Sequence, residues 1–194
     1  MTTTELQLPD AELYYDPGFL PTEEADALLQ QLQQQVRWRQ DRIRLFGREH
    51  LIPRLQAFQS DAGIHYTYSG LRLAGDAWLP GLQPLRQRLE AQCNQSFNAL
   101  LLNLYRNGQD AMGWHADNEP ELGRNPVIAS ISLGAQRRFR LRHNETRNTH
   151  TLELEHGSLL LMAGPTQHHW QHCLPRSRRC HDPRINLTFR LIRV

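Results

Sequence analysis

His115 and Asp117 stand two residues apart, a spacing that places both side chains on one side of an extended chain. An imidazole nitrogen and a carboxylate oxygen from this pair could bind the same metal ion. The pair alone is weak evidence, because His-x-Asp occurs by chance in many proteins and a polar turn after Gly113 would explain it equally well. A metal site therefore needs further ligands from elsewhere in the chain.

The run of residues 168–173 holds three histidines, and the spacing does not choose among them as a third ligand. Two imidazoles and one carboxylate leave coordination positions open, the facial arrangement of non-haem Fe(II) oxygenases, whereas structural zinc prefers four protein ligands. A zinc site built from Cys173, Cys180, His181 and one of these histidines is the alternative. Its Cys-x6-Cys spacing matches no common zinc finger.

Residues 184–190 alternate polar and apolar side chains, as expected for a β-strand with two different faces. The polar face consists of Arg184, Asn186, Thr188 and Arg190, and the apolar face of Ile185, Leu187 and Phe189. Four polar side chains directed inward cost free energy unless they bind something, and an anion with two carboxylates would satisfy them. A half-exposed edge strand with a polar outer face is the alternative interpretation.

The segments that must position these residues are helical first and β-rich later. A helix is predicted from Thr22, and a second helix after Pro84; their apolar positions at helical spacing are Ala25, Leu28, Leu29, Leu32 and Val36, then Leu85, Leu89 and Cys93. Short β-prone segments are predicted at residues 97–105, 127–133, 138–143, 150–154, 157–162 and 184–192, as in a sandwich or barrel.

Two N-terminal segments have another character. Residues 37–59 alternate arginine with apolar side chains and predict a hairpin with Phe46 and Gly47 at its tip, where a large apolar side chain is unusual for a purely structural turn. Residues 64–70 predict a strand or extended loop. We predict one α+β domain over residues 1–194, with helices and these segments in residues 1–96 and a β core in residues 97–194.

The composition favours a polyanionic partner. All 22 basic residues are arginine, and residues 134–194 contain 11 Arg against 4 Asp or Glu, with 7 of the 10 His. Three cysteines without framework spacing indicate a reducing compartment. The N-terminus has no basic or apolar signal region and the apolar runs are too short to span a bilayer, so we expect a cytosolic protein, or a nuclear one in a eukaryote.

Together, His115-x-Asp117, His172 and Arg184-x-Asn186-Leu187-Thr188-Phe189-Arg190 resemble the AlkB family of Fe(II)/2-oxoglutarate-dependent nucleic-acid dealkylases. The resemblance extends over about residues 45–192 and is closest to the branch that acts on double-stranded DNA. Further matching segments are Asn103-x-Tyr105, Pro126-Val127-Ile128-Ala129-Ser130, His156-Gly157-Ser158-Leu159-Leu160 and Pro165-Thr166. The resemblance implies a double-stranded β-helix (jelly-roll) core, preceded by N-terminal helices and a nucleotide-recognition lid or hairpin.

The resemblance also implies roles for the central residues. Fe(II) would be held by His115, Asp117 and His172, and it is the family pattern that selects His172. The co-substrate 2-oxoglutarate would contact Asn103 and Tyr105, with Arg184 on its distal carboxylate; Asn186, Thr188 and Arg190 would complete that pocket, Arg190 nearest the metal. With O2, the site would oxidise N-alkyl groups on bases while 2-oxoglutarate is decarboxylated to succinate.

Substrate contacts are implied in the N-terminal segments. Phe46, with Gly47 and Arg48, resembles the wedge that enters the duplex, and Tyr66 and Tyr68 would line the lesion pocket. Asn118 and Glu119 would contact the polar edge of the flipped base; Asn118 replaces an acid found in relatives, which leaves Glu119 as the acid for that role. The alternatives are the same chemistry on RNA or single strands, and a non-catalytic nucleic-acid-binding relative. We expect a monomer that binds alkylated DNA and no membrane.

Overall fold

A computed structural model of the chain describes residues 3–45, 48–68 and 71–193, and it describes side chains outside residues 43–48 and 66–74. The strands are β1 (Thr4–Glu5), β2 (Glu12–Asp16), β3 (Arg42–Leu45), β4 (Arg48–Leu51), β5 (Leu55–Ser60), β6 (His65–Tyr68), β7 (Leu71–Ala74), β8 (Ala99–Tyr105), β9 (Met112–His115), β10 (Ile128–Gly134), β11 (Arg137–His143), β12 (Thr149–Leu154), β13 (Leu159–Ala163), β14 (Trp170–Leu174) and β15 (Arg184–Arg190). The helices are α1 (Thr22–Gln35), α2 (Gln83–Cys93) and α3 (Thr166–His169), with 3₁₀ turns at Pro80–Leu82 and Pro120–Leu122.

Two antiparallel sheets form the centre of the protein. The large sheet has seven strands in the order β1-β2-β13-β10-β15-β8-β5, and the small sheet has four in the order β12-β11-β14-β9. Strand β15 lies between β10 and β8, with Asn186 opposite Ser132 on one side and Asn103 on the other. In the small sheet, His172 of β14 lies opposite His115 of β9.

The helices cover the outer face of the large sheet. Ala25, Leu28 and Leu32 of α1 and Leu85 and Leu89 of α2 are buried because helical spacing directs them to one side. They join a cluster with the apolar face of β15, whose members are Ile185, Leu187 and Phe189. The apolar side of β15 therefore belongs to the main core, and its polar side faces the small sheet.

The inner faces of the two sheets enclose a second apolar cluster and a polar cavity. Leu13, Ile128, Leu160 and Met162 come from the large sheet, and Phe139, Leu141, Leu154 and Trp170 come from the small one. The cavity beside them is lined by residues of both sheets, including His115, Asp117 and Arg184. None of the described helices is long and apolar enough to cross a membrane.

The fold class and the core predicted from the sequence are confirmed: α+β, with a jelly-roll arrangement of two antiparallel sheets. Helix α1 and helix α2 are found as predicted, as are β8, β10, β11, β12, β13 and β15 with ends displaced by one to a few residues. Strands β2, β9 and β14 were not predicted. Strand β2 pairs with β13, and β9 pairs with β14, across long stretches of sequence, and such distant pairings leave no local sequence pattern.

The prediction of a single hairpin over residues 37–59 is wrong in its extent. The paired arms are β3 and β4, and residues from Leu55 onward form β5, which pairs with β8 in the large sheet. The reason is burial, since Gln56 to Ser60 are all buried against that sheet. The tip residues Phe46 and Gly47 lie outside the described residues. The division of the domain at residues 96 and 97 stays a prediction, although β2 and β5 both add to the large sheet.

Candidate metal and co-substrate site

Three side chains meet where β9 and β14 pair. The ligand atoms of His115, Asp117 and His172 all lie within 4.8 Å of one another, so small side-chain rotations would bring all three to one ion. The rings of His115 and His172 are in edge contact, with centroids 4.2 Å apart, and the His172 ring also stacks on Phe139 at 5.1 Å. The β9–β14 register creates this contact, because it places the two histidines opposite each other.

The hydrogen bonds of His115 leave a nitrogen free to bind a metal. Nδ1 of His115 lies 2.8 Å from the carbonyl oxygen of Gly113, which can only accept a hydrogen bond, so Nδ1 carries the hydrogen and Nε2 keeps its lone pair. That Nε2 atom lies 3.9 Å from Oδ1 of Asp117. Oδ1 is buried and has no hydrogen-bond partner among the described residues. A cation between these two atoms would satisfy both.

The described residues contain a second group of possible metal ligands: Asp10, His143 and His169. In this group His143 has no ring nitrogen free to bind a metal. Nδ1 of His143 accepts hydrogen bonds from the backbone N–H groups of Glu145 and Thr146, at 3.3 and 3.2 Å. Nδ1 is therefore the acceptor of this ring, and Nε2 carries a hydrogen and lies 3.3 Å from Oδ2 of Asp10. This group is a hydrogen-bonded pair, and neither nitrogen of His143 offers a lone pair to a metal. The zinc alternative requires Cys173 and Cys180 as ligands, and neither of these two groups of described residues includes them.

The electrostatics of the first group favour a bound cation. Burial lowers the pKa of His172 to about 3 and also lowers the pKa of His115, so both rings are neutral and able to coordinate. Burial alone would raise the pKa of Asp117, but the Arg190 guanidinium and the two histidines outweigh it and hold the pKa at about 2. Arg190 donates to Oδ2 of Asp117 at 2.9 Å, which leaves Oδ1 on the side of His115.

Arg184 is at the other end of the cavity and is 2% exposed. One guanidinium nitrogen donates to Oγ of Ser132 at 2.8 Å, and Nε has no hydrogen-bond partner in the described part of the chain. Burial lowers the pKa of Arg184 to about 10, and the guanidinium still remains charged near neutral pH. A buried cation of this kind requires an anionic partner, and a carboxylate matches its geometry.

Asn103 and Tyr105, which the sequence assigns to the co-substrate, lie on β8 beside Arg184. Oδ1 of Asn103 accepts a hydrogen bond from Nε of Arg54 at 2.8 Å, so the amide nitrogen of Asn103 is left to donate to a ligand. The ring of Tyr105 is within 5.5 Å of the Arg184 guanidinium carbon and 5.9 Å of that of Arg137. These contacts fix both side chains before any ligand binds.

Asn186 and Thr188 line the same cavity, but their polar groups bond to the protein. The amide nitrogen of Asn186 donates to Oγ of Ser130 at 2.8 Å and to the carbonyl of Ile131 at 3.1 Å. Oγ1 of Thr188 donates to Oδ1 of Asn186 at 3.1 Å. Asn186 therefore bonds β15 to β10, Thr188 supports Asn186 from the same strand, and a direct contact of either one with 2-oxoglutarate stays a prediction.

The structure thus brings nine predicted residues to one cavity: His115, Asp117, His172, Asn103, Tyr105, Arg184, Asn186, Thr188 and Arg190. Asn118 is exposed and Glu119 is half-buried, directly after Asp117 at the same end. Phe46 and Gly47 lie outside the described residues, and so do the side chains of Arg48, Tyr66 and Tyr68, although their backbones belong to β4 and β6.

Sequence reasoning missed three buried polar residues that contact this site. Arg54 bonds to Asn103, Ser132 bonds to Arg184, and Oε1 of Gln167 accepts a hydrogen bond from the backbone N–H of Asp117 at 2.9 Å. Ser132 follows the matched segment 126–130 at alternate spacing on a predicted strand, which was a usable signal. Arg54 and Gln167 have no signal in the sequence, because their partners are 49 and 50 residues away.

Comparison with known proteins agrees with this geometry. Residues 12–190 match the 2OG-Fe(II) oxygenase superfamily. The chain is 43% identical over 180 residues to the DNA oxidative demethylase ALKBH2 of Bos taurus, covering 87% of this chain and 65% of that protein. It is 42% identical over 189 residues to the Homo sapiens alpha-ketoglutarate-dependent dioxygenase alkB homolog 3, covering 91% and 64%. The structure of OsALKBH1 is similar in fold, with a TM-score of 0.65, 16% identity and 96% and 100% of the two chains covered.

The chain belongs to the 2OG-Fe(II) oxygenase superfamily. Within it the chain belongs to the AlkB family, as its motifs predicted. It spans about 65% of the length of each of these two relatives. Family membership implies Fe(II), 2-oxoglutarate and O2, and the residues present fit them: Asp117 offers a buried oxygen beside a metal-competent His115, and Arg184 offers a buried cation to a carboxylate.

Proposed function

We propose that this chain removes N-linked alkyl groups from DNA bases by oxidation, with Fe(II), O2 and 2-oxoglutarate. The observation that carries the proposal is one cavity whose two ends suit a metal ion and a carboxylate. A cation-binding group of His115, Asp117 and His172 is at one end, and the buried Arg184 is at the other. DNA is proposed as the substrate because a relative at 43% identity is named a DNA oxidative demethylase.

Each end of the cavity has a distinct task in this proposal. Nε2 of His115, Oδ1 of Asp117 and a ring nitrogen of His172 would hold Fe(II), while Arg190 keeps Asp117 ionised and oriented. Arg184 would bind the distal carboxylate of 2-oxoglutarate. Bound there, Fe(II) and 2-oxoglutarate would supply the oxidation by O2: one oxygen atom would go into succinate with loss of CO2 and the other onto the N-alkyl carbon, and the hydroxyalkyl adduct would release an aldehyde and the repaired base.

The base must leave the duplex to reach this buried cavity, at a cost of a few kcal/mol. Strands β3 and β4 pair as far as Leu45 and Arg48, and we propose that Phe46, which comes between them in the sequence, stacks in the vacated position. Stacking of an aromatic side chain on a base contributes about 1–3 kcal/mol, enough to offset much of that cost. Tyr66 and Tyr68 on β6 are proposed to contact the flipped base, and Asn118 and Glu119 to contact its polar edge.

Double-stranded DNA is the proposed form of the substrate, and RNA or a single strand is the alternative. The relative named a DNA oxidative demethylase is 43% identical, and the relative whose name gives no substrate is 42% identical, so overall similarity does not decide the form of the nucleic acid. Strand preference is therefore a quantity to measure, with matched duplex and single-stranded oligonucleotides that carry the same lesion.

The test is a repair assay with Fe(II), ascorbate and 2-oxoglutarate on oligonucleotides that carry one N-methylated adenine. Wild-type protein should restore adenine, faster in the duplex than in the single strand. His172→Ala should abolish repair and leave duplex binding largely intact, because the residue lies in the buried cavity. His169→Ala is the matched control from the same run and should keep turnover. No repair of any oligonucleotide, or loss of repair in His169→Ala alone, would contradict the proposal.

A further inference from the structure

The short helix α3 connects β13 to β14 and carries a buried side chain that reaches the metal-binding group. Gln167 is 1% exposed, and its Oε1 accepts a hydrogen bond from the backbone N–H of Asp117 at 2.9 Å. The two residues are 50 positions apart in the chain. A glutamine in this place therefore joins the segment before His172 to the segment after His115.

Asp117 lies two residues after the end of strand β9. Strand β9 ends at His115, where the last pair to β14 is His115 with His172. Two bonds then fix Asp117: its N–H donates to Gln167, and its Oδ2 accepts from Arg190. Together they direct Oδ1 toward Nε2 of His115, at 3.9 Å.

The orientation of the Gln167 amide follows from its partners. The backbone N–H of Asp117 is a donor, so the atom that faces it must be the amide oxygen. The amide nitrogen then lies 3.5 Å from Sδ of Met162, which lines the same cavity. Both ends of the amide are thus occupied, and a rotation that breaks one contact also breaks the other.

Helix α3 is itself anchored independently of Gln167. Oγ1 of the neighbouring Thr166 donates to the carbonyl of Ala163 at 2.6 Å and accepts from the N–H of Glu12 at 2.9 Å. These bonds tie α3 to β13 and β2, and neither of them reaches His115, Asp117 or His172. The anchoring of the helix and the support of Asp117 can therefore be separated by mutation.

We propose that Gln167 is a positioning residue: its bond to the Asp117 N–H sets the direction of the Asp117 carboxylate, and through it the affinity and geometry of the metal site. This inference rests on the proposed function in taking Asp117 as a metal ligand. Side chains that orient metal ligands typically contribute roughly 10- to 100-fold to metal affinity. A buried amide N–H that loses its acceptor must shift to find another, and Asp117 would move with it.

The experiment measures Co(II) binding by visible absorption, together with thermal unfolding and hydrogen exchange of the Asp117 amide in the metal-free protein. Gln167→Met removes the acceptor at nearly constant volume and should weaken Co(II) binding roughly 10- to 100-fold, alter the absorption band and speed exchange of that amide. Gln167→Glu keeps an oxygen acceptor and should recover most of the affinity. Thr166→Val is the control, expected to lower Tm but to leave Co(II) affinity within about two-fold of wild type.

Each outcome decides the inference. Wild-type affinity in Gln167→Met, or an equal loss in Thr166→Val, would overturn it, because the role of Gln167 would then be absent or merely structural. Gln167→Asn, which withdraws the amide by one methylene, provides the same test if Gln167→Met does not fold. Failure of the wild-type protein to bind Co(II) would overturn the metal site and the proposed function with it, a result distinct from failure of Gln167 alone.

Discussion

Neutral histidines and an ionised carboxylate coexist at this centre because burial acts on them in different ways. Burial lowers the pKa of His172 to about 3, since a charged ring in the interior would lose its hydration. The same burial would keep Asp117 protonated were it not for Arg190, which bonds to its Oδ2. The result is two neutral donors and one anion, the protonation states that a divalent cation requires.

These shifts predict that the metal-free protein loses stability in mild acid. The unfolded chain protonates His172 near pH 6.5, whereas the folded chain does so only near pH 3, so unfolding takes up a proton between these values. The free energy of unfolding should therefore fall by about 2 kcal/mol per such histidine between pH 7 and pH 5. The Asp117 pKa is lowered from 3.8 to about 2, and its contribution is lost only below that window.

Urea unfolding in the presence of a chelator at pH 7 and pH 5 measures this effect. His172→Leu removes one titrating ring and should reduce the pH dependence by about the contribution of one histidine. Equal pH dependence in wild type and His172→Leu would contradict the account of this buried ring.

The buried charge of Arg184 should matter for co-substrate binding and not for the stability of the fold. Arg184→Met should weaken binding of 2-oxoglutarate roughly 100-fold, about 3 kcal/mol, because a buried charge-assisted contact is lost. The same change should leave Tm equal or higher, since it removes a buried cation whose hydrogen bond among the described residues is to the hydroxyl of Ser132 and not to a carboxylate. The measurements are the KM for 2-oxoglutarate and a thermal melt, with the exposed Arg140→Met as control. A lower Tm with unchanged KM would show that Arg184 serves the fold instead.

At the scale of elements, strand β15 is the part of the site that could be predicted most fully. Its alternation places the polar set in the cavity and the apolar set under α1 and α2, as the period of two requires. The predicted alternative of an edge strand fails because β15 pairs on both sides. Strand β9 was beyond prediction: its four residues include a glycine, and pairing with β14 supplies what local propensity does not.

Strand β11 shows how alternation separates structural from surface arginines, and it predicts opposite outcomes for two neighbours. Arg137 is 2% exposed and donates to three backbone carbonyls, those of Asn107, Asp110 and Pro175. Arg138 faces solvent, where it forms an ion pair with Glu153 at 2.9 Å. Arg137 therefore joins the β8–β9 loop to the end of β14. The ion pair of Arg138, in contrast, links only its own exposed side chain to that of Glu153.

Arg137→Met should lower the free energy of unfolding by about 2–4 kcal/mol, because the buried carbonyls lose their donor. Arg138→Met should change it by less than about 1 kcal/mol, as is usual for exposed ion pairs. Urea denaturation of the two variants measures the difference. Similar losses in both would mean that the bonds of Arg137 to the three carbonyls contribute little to stability.

For the whole molecule, the site exists only because two sheets close on each other. The candidate metal ligands come from β9 and β14 of the small sheet and the segment after β9, while Arg184, Asn103 and Tyr105 come from the large sheet. The sequence motifs identified most of these residues, because the resemblance to a family points to residues that lie together in the fold. The alternation of polar and apolar residues along a strand does not. The motifs did not identify Arg54 or Gln167, whose contacts depend on how segments about 50 residues apart pack.

The charge of the chain is unevenly distributed between its two halves. The excess of arginine over acidic residues from residue 134 onward makes this half cationic, which suits a polyanionic substrate. The β3–β4 hairpin comes from the other half. Our proposal thus has substrate contacts from both halves of the chain, and the monomeric state expected from the sequence stays a prediction.

The central claim is that this cavity couples consumption of 2-oxoglutarate to removal of an alkyl group from a base in DNA. The most direct measurement is a mass-spectrometric count of succinate, formaldehyde and repaired base after reaction with a duplex that carries one N-methylated adenine. We expect about one succinate and one formaldehyde per repaired base, and none of the three products in Asp117→Ala. Tight duplex binding without succinate, or succinate release with the methyl group retained, would contradict the central claim.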